Sequence, residues 1–212
     1  ELFVEGIDEK EKKKLGLTSS FPIGDWTGVQ ADRNSGVTHI SWFSMVMSGT
    51  INLQWLPLTV ESLSIVMTSI FGSVELTCLP PPLRILHLSK NFFSGTLDFS
   101  CLPDVLKYIA LGKNKFSGEI SLTNLPSTLV DLDVRGNTLS GTLDLTHLPE
   151  GIRKLHFSDN DFSGLTDFSR LPPTLRMLNV EMTSLEGHVY CTEADRGKFR
   201  VENSKVTLIV EE

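Results

Sequence analysis

The sequence predicts an α/β-type solenoid dominated by β, with a parallel concave sheet, short back strands, an N-terminal helical cap and a C-terminal strand cap. Two observations predict it. Leu-Pro recurs at Leu56, Leu79, Leu102, Leu125, Leu148 and Leu171, every interval being 23 residues, and a fixed period of this size marks a stacked repeat. Inside each period the apolar positions are constant. One unit cannot bury its oily side alone, so neighbouring units must cover one another.

The elements follow in chain order. Residues 1–23 lie outside the repeat. Apolar Phe3, Val4, Ile7 and Leu15 surround a charged middle, and Gly16 is a suitable stop, which predicts a short amphipathic helix. The charged run Asp8 to Lys14 is read as a solvated face, with a docking patch as the alternative. The first coil starts near Val37, and Ile40/Trp42, Met47, Gly49, Ile51 and Leu53 fall in step with later copies.

Each later copy opens a strand with alternating apolar residues: Leu63/Ile65, Leu86/Leu88, Ile109/Leu111, Leu132/Val134, Leu155/Phe157 and Leu178/Val180. Period-two alternation is a strand with one buried face. Five residues on stands a large apolar group, Ile70, Phe93, Phe116, Leu139, Phe162 or Leu185, and two further a glycine, from Gly72 to Gly187. A second alternation, such as Leu97/Phe99 and Leu143/Leu145, predicts a short back strand. Leu165-Thr166-Asp167-Phe168 reads as an irregular back in its copy.

Asn91, Asn114, Asn137 and Asn160 follow the first strand in four successive copies. An amide carries donors and an acceptor, so at a turn it can satisfy backbone groups of its own coil and the next. A structural ladder is favoured over a polar binding stripe. Seven coils are counted. After Cys191 the pattern fails until Val206, Leu208 and Val210, which predict a final strand shielding the last coil. The resulting division is 1–33 helix and cap, 34–191 repeats and 192–212 C-terminal cap.

The motif LxxLxxLxLxxNxFSGxL resembles the leucine-rich repeat family, and its FSG half resembles the plant-specific class and similar protist repeats, over roughly residues 24–191. Trp26-Thr27-Gly28-Val29 resembles the N-terminal cap of plant-type repeat proteins, which usually carries a cysteine pair that is absent here. The resemblance implies an arc of about seven coils and a concave recognition face. Trp26 and the N-terminal helix are the candidate plug for the open end.

The net charge of −7 disfavours generic nucleic-acid or anionic-membrane binding. No apolar run reaches the ~20 residues a spanning helix needs. The chain opens at Glu1 without an initiator Met or an apolar leader, which reads as a processed or trimmed chain. Three cysteines are too few for a disulfide scaffold. Cys78 and Cys101 share a position in successive coils, where a bridge is conceivable, but all three cysteines are read as packing thiols. The sequence contains no Asn-X-Ser/Thr acceptor, which favours an intracellular setting over a cell-surface one.

Function is expected on the outward positions of the first strands. The candidate partner-binding residues are Ile85, His87, Tyr108, Asp131, Asp133, Arg135, Lys154, His156 and Met177. They vary between copies while the framework stays constant, and apolar anchors beside charges suit protein contacts. Arg84, Lys107, Arg153 and Arg176 form a basic column, and Glu75, Asp98, Asp144 and Asp167 an acidic one, read chiefly as solubilising. Asp133, His156 and Ser158 are the residue types of a nucleophilic set, but an open sheet offers nothing to exclude water. No metal, cofactor or phosphate-cradling motif is found, and His87 and His156 are too far apart to share a metal. The expectation is a non-catalytic scaffold or assembly subunit binding another protein. The alternative is a receptor-like surface module, and membership of a larger complex stays open.

Overall fold

The structure, a computed structural model, describes residues 2–18 and 20–211. In chain order its first strands are β1 (Val29–Ala31), β2 (Val37–Phe43), β3 (Ser48–Thr50), β4 (Ser62–Val66), β5 (Ser69–Ser73), β6 (Ile85–His87), β7 (Phe92–Gly95), β8 (Tyr108–Ala110) and β9 (Lys115–Gly118). They continue as β10 (Asp131–Asp133), β11 (Thr138–Gly141), β12 (Lys154–His156), β13 (Asp161–Leu165), β14 (Met177–Asn179), β15 (Ser184–Thr192), β16 (Phe199–Arg200) and β17 (Lys205–Glu211). One helix, α1 (Glu9–Leu15), precedes them.

Two sheets result. β1 and the even strands from β2 to β16 form the nine-stranded concave sheet, and the odd strands from β3 to β17 form the eight-stranded back sheet. The fold is a leucine-rich-repeat solenoid. From β2 to β14 the concave sheet pairs residues 23 apart, as in Asp131↔Lys154, whereas from β3 to β15 the back sheet pairs residues 21 apart, as in Phe71↔Phe92; the last pair of each sheet is two residues shorter. Outward columns on the back therefore run obliquely to those in front. The core between the sheets is continuous: Leu86, Leu88, Leu132, Val134, Phe93 and Phe116 are all fully buried. Phe93 and Phe116 stack in neighbouring coils with centroids 6.4 Å apart.

The asparagines do form a ladder, directed towards the preceding coil instead of the next. Asn137 Nδ2 donates to Val134 O of its own coil at 2.9 Å and to Leu111 O of the coil before at 3.3 Å. Its Oδ1 accepts the Phe116 N–H at 3.0 Å. Asn114 and Asn160 repeat the arrangement, and Asn91 repeats its donor bonds while its Oδ1 accepts the amide and hydroxyl of Thr68 instead. At the end of the series Thr183 Oγ1 donates to Val180 O at 2.7 Å.

Just before each ladder position the backbone turns left-handed, at Ser44, Met67, Lys90, Lys113, Gly136, Asp159, Met182 and Asn203. Only Gly136, Asp159 and Asn203 belong to the residue types that favour this region. The amides of the middle members from Met67 to Met182 donate to carbonyls of the following coil, as in Lys113 N to Arg135 O at 2.7 Å. These inter-coil bonds over-determine a conformation that side chains alone would avoid.

Several expectations change. The N-terminal helix is only Glu9–Leu15, capped by Asp8 and stopped by left-handed Gly16. It is shortened because Ile7 bridges antiparallel to Gly49 and Asp8 N donates to Ser48 O at 3.0 Å, so this stretch closes the edge of β3. Phe3, Val4, Ile7, Leu17 and Trp26 are the plug, and Phe3 stacks on Trp42. Leu165 through Phe168 keep register: Thr166 N donates to Glu186 O, Phe168 and the Thr166 side chain point inward, and Leu165 is pushed out to 80% exposure.

The cysteines differ too. Cys191 is buried, but Cys78 is half-buried and Cys101 exposed, so the latter two do not fill the core. Finally, Phe199, Val201 and Val206 stand 21 residues beyond Leu178, Val180 and Leu185, and β16 and β17 extend both sheets. An eighth, shortened coil therefore exists where the sequence suggested only a cap, because two missing residues move it out of the 23-residue comb.

Candidate functional site

The outward residues of β2 to β14 make a graded surface. At its N-terminal half Phe43 (64% exposed), Ile85 and Tyr108 (44%) stand in the open, beside half-buried His87, Ser89 and Ala110. β6 and β8 hold Ile85 opposite Tyr108, because strand register alternates inward Leu86 and Ile109 with these outward neighbours. From β10 onward the surface is ionic. Asp131 faces Lys154 across the strands at 3.8 Å, and Asp133 is held by Arg135, whose Nη2 lies 3.0 Å away.

Asp133 is not the open carboxylate that strand alternation suggests. It is only 9% exposed. Gly112 on the previous coil leaves room for it, since a Cβ there would come within 2.9 Å of Asp133 Oδ1. The Arg135 amide donates to the same oxygen at 3.1 Å. Val66, Gly112, Ser158 and Asn179 in the outward columns are buried as well. Met177 is half-buried at the C-terminal end of the lane.

Withdrawal from water shifts three groups. Burial holds His87 and His156 below the ordinary imidazole range, with the Asp133 charge partly opposing it. Burial also raises Asp131, and His156 and Lys154 pull it back. The sign for stability follows from proton counting. As pH falls past about 6.5 the unfolded imidazoles protonate first, the unfolded state binds more protons, and stability is lost. Asp131 acts in the opposite sense, in the lower carboxylate range. The midpoint of urea unfolding should therefore fall between about pH 7.5 and about pH 5.5, and a His87→Gln, His156→Gln double variant should show a flatter profile. An unchanged slope in the double variant would contradict this.

The nucleophilic set is not assembled. Ser158 is buried, Asp133 is engaged with Arg135, and His156 Nδ1 has no hydrogen-bond partner among the described residues. No group of three or more potential metal ligands occurs among the described residues, and no helix is long and apolar enough to cross a membrane.

The acidic column on the back has a local role. Asp98 accepts from Ser100 N, Asp144 from the Thr146 amide and hydroxyl, and Asp167 from Ser169 N. These hydrogen bonds lower the carboxyl pKa values. Such turns were legible as Asp-x-Ser/Thr. The candidate set omits Phe43, although alternation from Ile40 and Trp42 marks it as outward.

No protein-family model matches the chain. No curated protein matches it either. Solved structures do. The Arabidopsis receptor kinase HAESA, solved in complex with the peptide hormone IDA and the co-receptor SERK1, aligns with a TM-score of 0.66 at 21% identity over 95% of this chain and 40% of its own. The leucine-rich-repeat ectodomain of the Arabidopsis receptor kinase SOBIR1 aligns with a TM-score of 0.51 at 29% identity, over 74% of this chain and 89% of its own. A plant ice-binding protein aligns with a TM-score of 0.50 at 20% identity, covering 94% and 86%. Neighbours with such different ligands agree on the fold.

Proposed function

We propose that the chain is a non-catalytic recognition module that takes an extended segment of another protein, or a peptide, along its concave sheet. The observation that carries this reading is the graded lane itself. Phe43, Ile85 and Tyr108 are apolar groups left in water beside the ionic set Asp131, Asp133, Arg135, Lys154 and His156. A rigid lane loses little conformational entropy on binding, and a few anchors of the Ile85 and Tyr108 kind carry most of the energy. The ligand fitting this gradient has aromatic or aliphatic side chains at one end and mixed charge at the other, running across the coils.

The fold neighbours support recognition, since HAESA is solved with a peptide hormone. They also favour the receptor-like setting over an intracellular scaffold, because SOBIR1 and HAESA are receptor kinases. The intracellular preference drawn from the missing glycosylation acceptor gains no support from them. The ice-binding neighbour does not redirect the reading: the back sheet mixes hydroxyls with Lys115, Phe71 and Phe92.

A random-peptide display selection against the chain tests this. Enriched peptides should share the apolar-to-charged order, and Tyr108→Ala should weaken their binding about tenfold, on the scale of one anchor residue. Lys154→Glu should weaken those with an acidic end. Ser94→Asp on the back sheet should leave affinity unchanged. Selected peptides that bind all three variants equally would place the site elsewhere.

A further inference from the structure

The two ends of the solenoid are finished differently. At the N-terminal end the regular coils are capped: the three-residue β1 runs antiparallel along β2 and becomes a short outer edge, and residues 6–8 close β3, with Thr50 N donating to Gly6 O at 2.9 Å. At the C-terminal end β16 and β17 are the last strands of their sheets. Nothing pairs with the outer edge of β17 among the described residues. β17 is seven residues long, without proline or bulge, and its only edge-protecting groups are the charges at its two ends, Lys205 and Glu211. Behind it, Phe199, Val201 and Leu208 are only partly buried against the core, and Val210 is 39% exposed.

We infer that this edge takes the β17 of a second copy of the chain, giving a two-fold symmetric dimer joined end to end. The argument for a second copy lies in the strand Lys-Val-Thr-Leu-Ile-Val-Glu. Residues opposed in an antiparallel pair share one face, so a strand can pair with its own copy only in registers that keep inward residues opposite inward ones. The register of full overlap sets Leu208 on the two-fold axis. It then places Val206 against the partner's Val210 on the inner face, and Lys205 against the partner's Glu211 on the outer face. The off-axis matches, Thr207 against the partner's Ile209 among them, each arise twice and the Leu208 pair once, as an isologous interface requires. Opposite charges facing across strands are favourable and like charges are not. Lys205 already lies 2.6 Å from Glu186 of its own chain, so in the dimer its ammonium would bridge two carboxylates. The inner valines and leucines would extend the core across the axis and cover Phe199 and Val201.

This inference is independent of the concave-face reading. Sedimentation velocity on the 212-residue chain at about 50 μM tests it at a concentration where a standard small interface is occupied. The expected result is a dimer. Leu208→Arg, which sets two guanidinium groups on the axis, should be monomeric. Glu211→Lys, which opposes Lys205 with lysine, should weaken the dimer at least tenfold. Adding Lys205→Glu to it should restore much of the dimer. Amides of 205–211 should exchange more slowly in the dimer than in the Leu208→Arg monomer. A monomeric wild type, a dimer indifferent to Glu211→Lys, or a charge-swapped chain no better than the single variant would overturn the proposal.

Discussion

Asn137→Ala should lower the stability of the whole solenoid by about 3–4 kcal/mol, among the larger effects a single substitution has. The side chain is buried and engages both Leu111 and Phe116 of the preceding coil, as well as its own Val134. Removing it leaves the Phe116 N–H without a partner, while Leu111 O and Val134 O each lose one hydrogen bond and keep the amides of Asn114 and Asn160; an orphaned buried donor costs about 1–3 kcal/mol and each further lost hydrogen bond about 1 kcal/mol. For a chain of this size the melting temperature should fall by roughly 10 °C. The Phe116 amide should lose protection from hydrogen exchange before other core amides do. Asn137→Asp should be no better, because it discards both donors and sets a charge among carbonyls. A loss below about 1 kcal/mol would mean that water replaces the amide at this turn, and the ladder would then not hold the coils together.

Gly49→Ala should detach the N-terminal cap. Its φ of +121° is one that side-chain-bearing residues rarely adopt, and a Cβ there would lie 2.1 Å from Gly6 O and 2.8 Å from Ile7 Cα. The cap segment must move off β3, uncovering Phe3, Val4, Ile7 and the Trp42 ring. Backbone strain of about 1–3 kcal/mol adds to that loss. Trypsin should cut the lysine run at Lys12–Lys14 at least tenfold faster, since cleavage of a locally opened segment follows its open population. Gly95→Ala is the matched control. It has a similar positive φ of +90°, but its nearest neighbour would be Ser73 Cβ at 3.4 Å, so it carries strain without the cap collision. Equal protease resistance in the Gly49 variant and the wild type would show that the cap is not held by this close approach.

The concave lane was legible because period-two alternation alone says that Ile85 and Tyr108 point away from Leu86 and Ile109. What alternation could not say is that Asp133 sinks beneath Arg135. That depends on Gly112, 21 residues earlier in the chain but on the adjacent coil. The asparagines were recognisable from spacing and chemistry, whereas their direction was not, since either neighbouring coil offers unpaired carbonyls. The left-handed turns at Lys90, Lys113 and Met182 were invisible for another reason. Local propensity argues against them, and only amide bonds to the following coil hold them there.

By itself the sequence determined the coil: a 23-residue comb of leucines has one way to hide its apolar side, by stacking parallel copies, and a glycine after each back-strand apolar group marks where the backbone bends. Tertiary structure decided what happens where that comb is broken. The eighth coil at Phe199–Val206, the antiparallel closure by residues 6–8 and the bare edge of β17 all depend on which surface is still uncovered once the regular coils have stacked. Burial and backbone pairing between distant segments settle that, and a local pattern does not encode them.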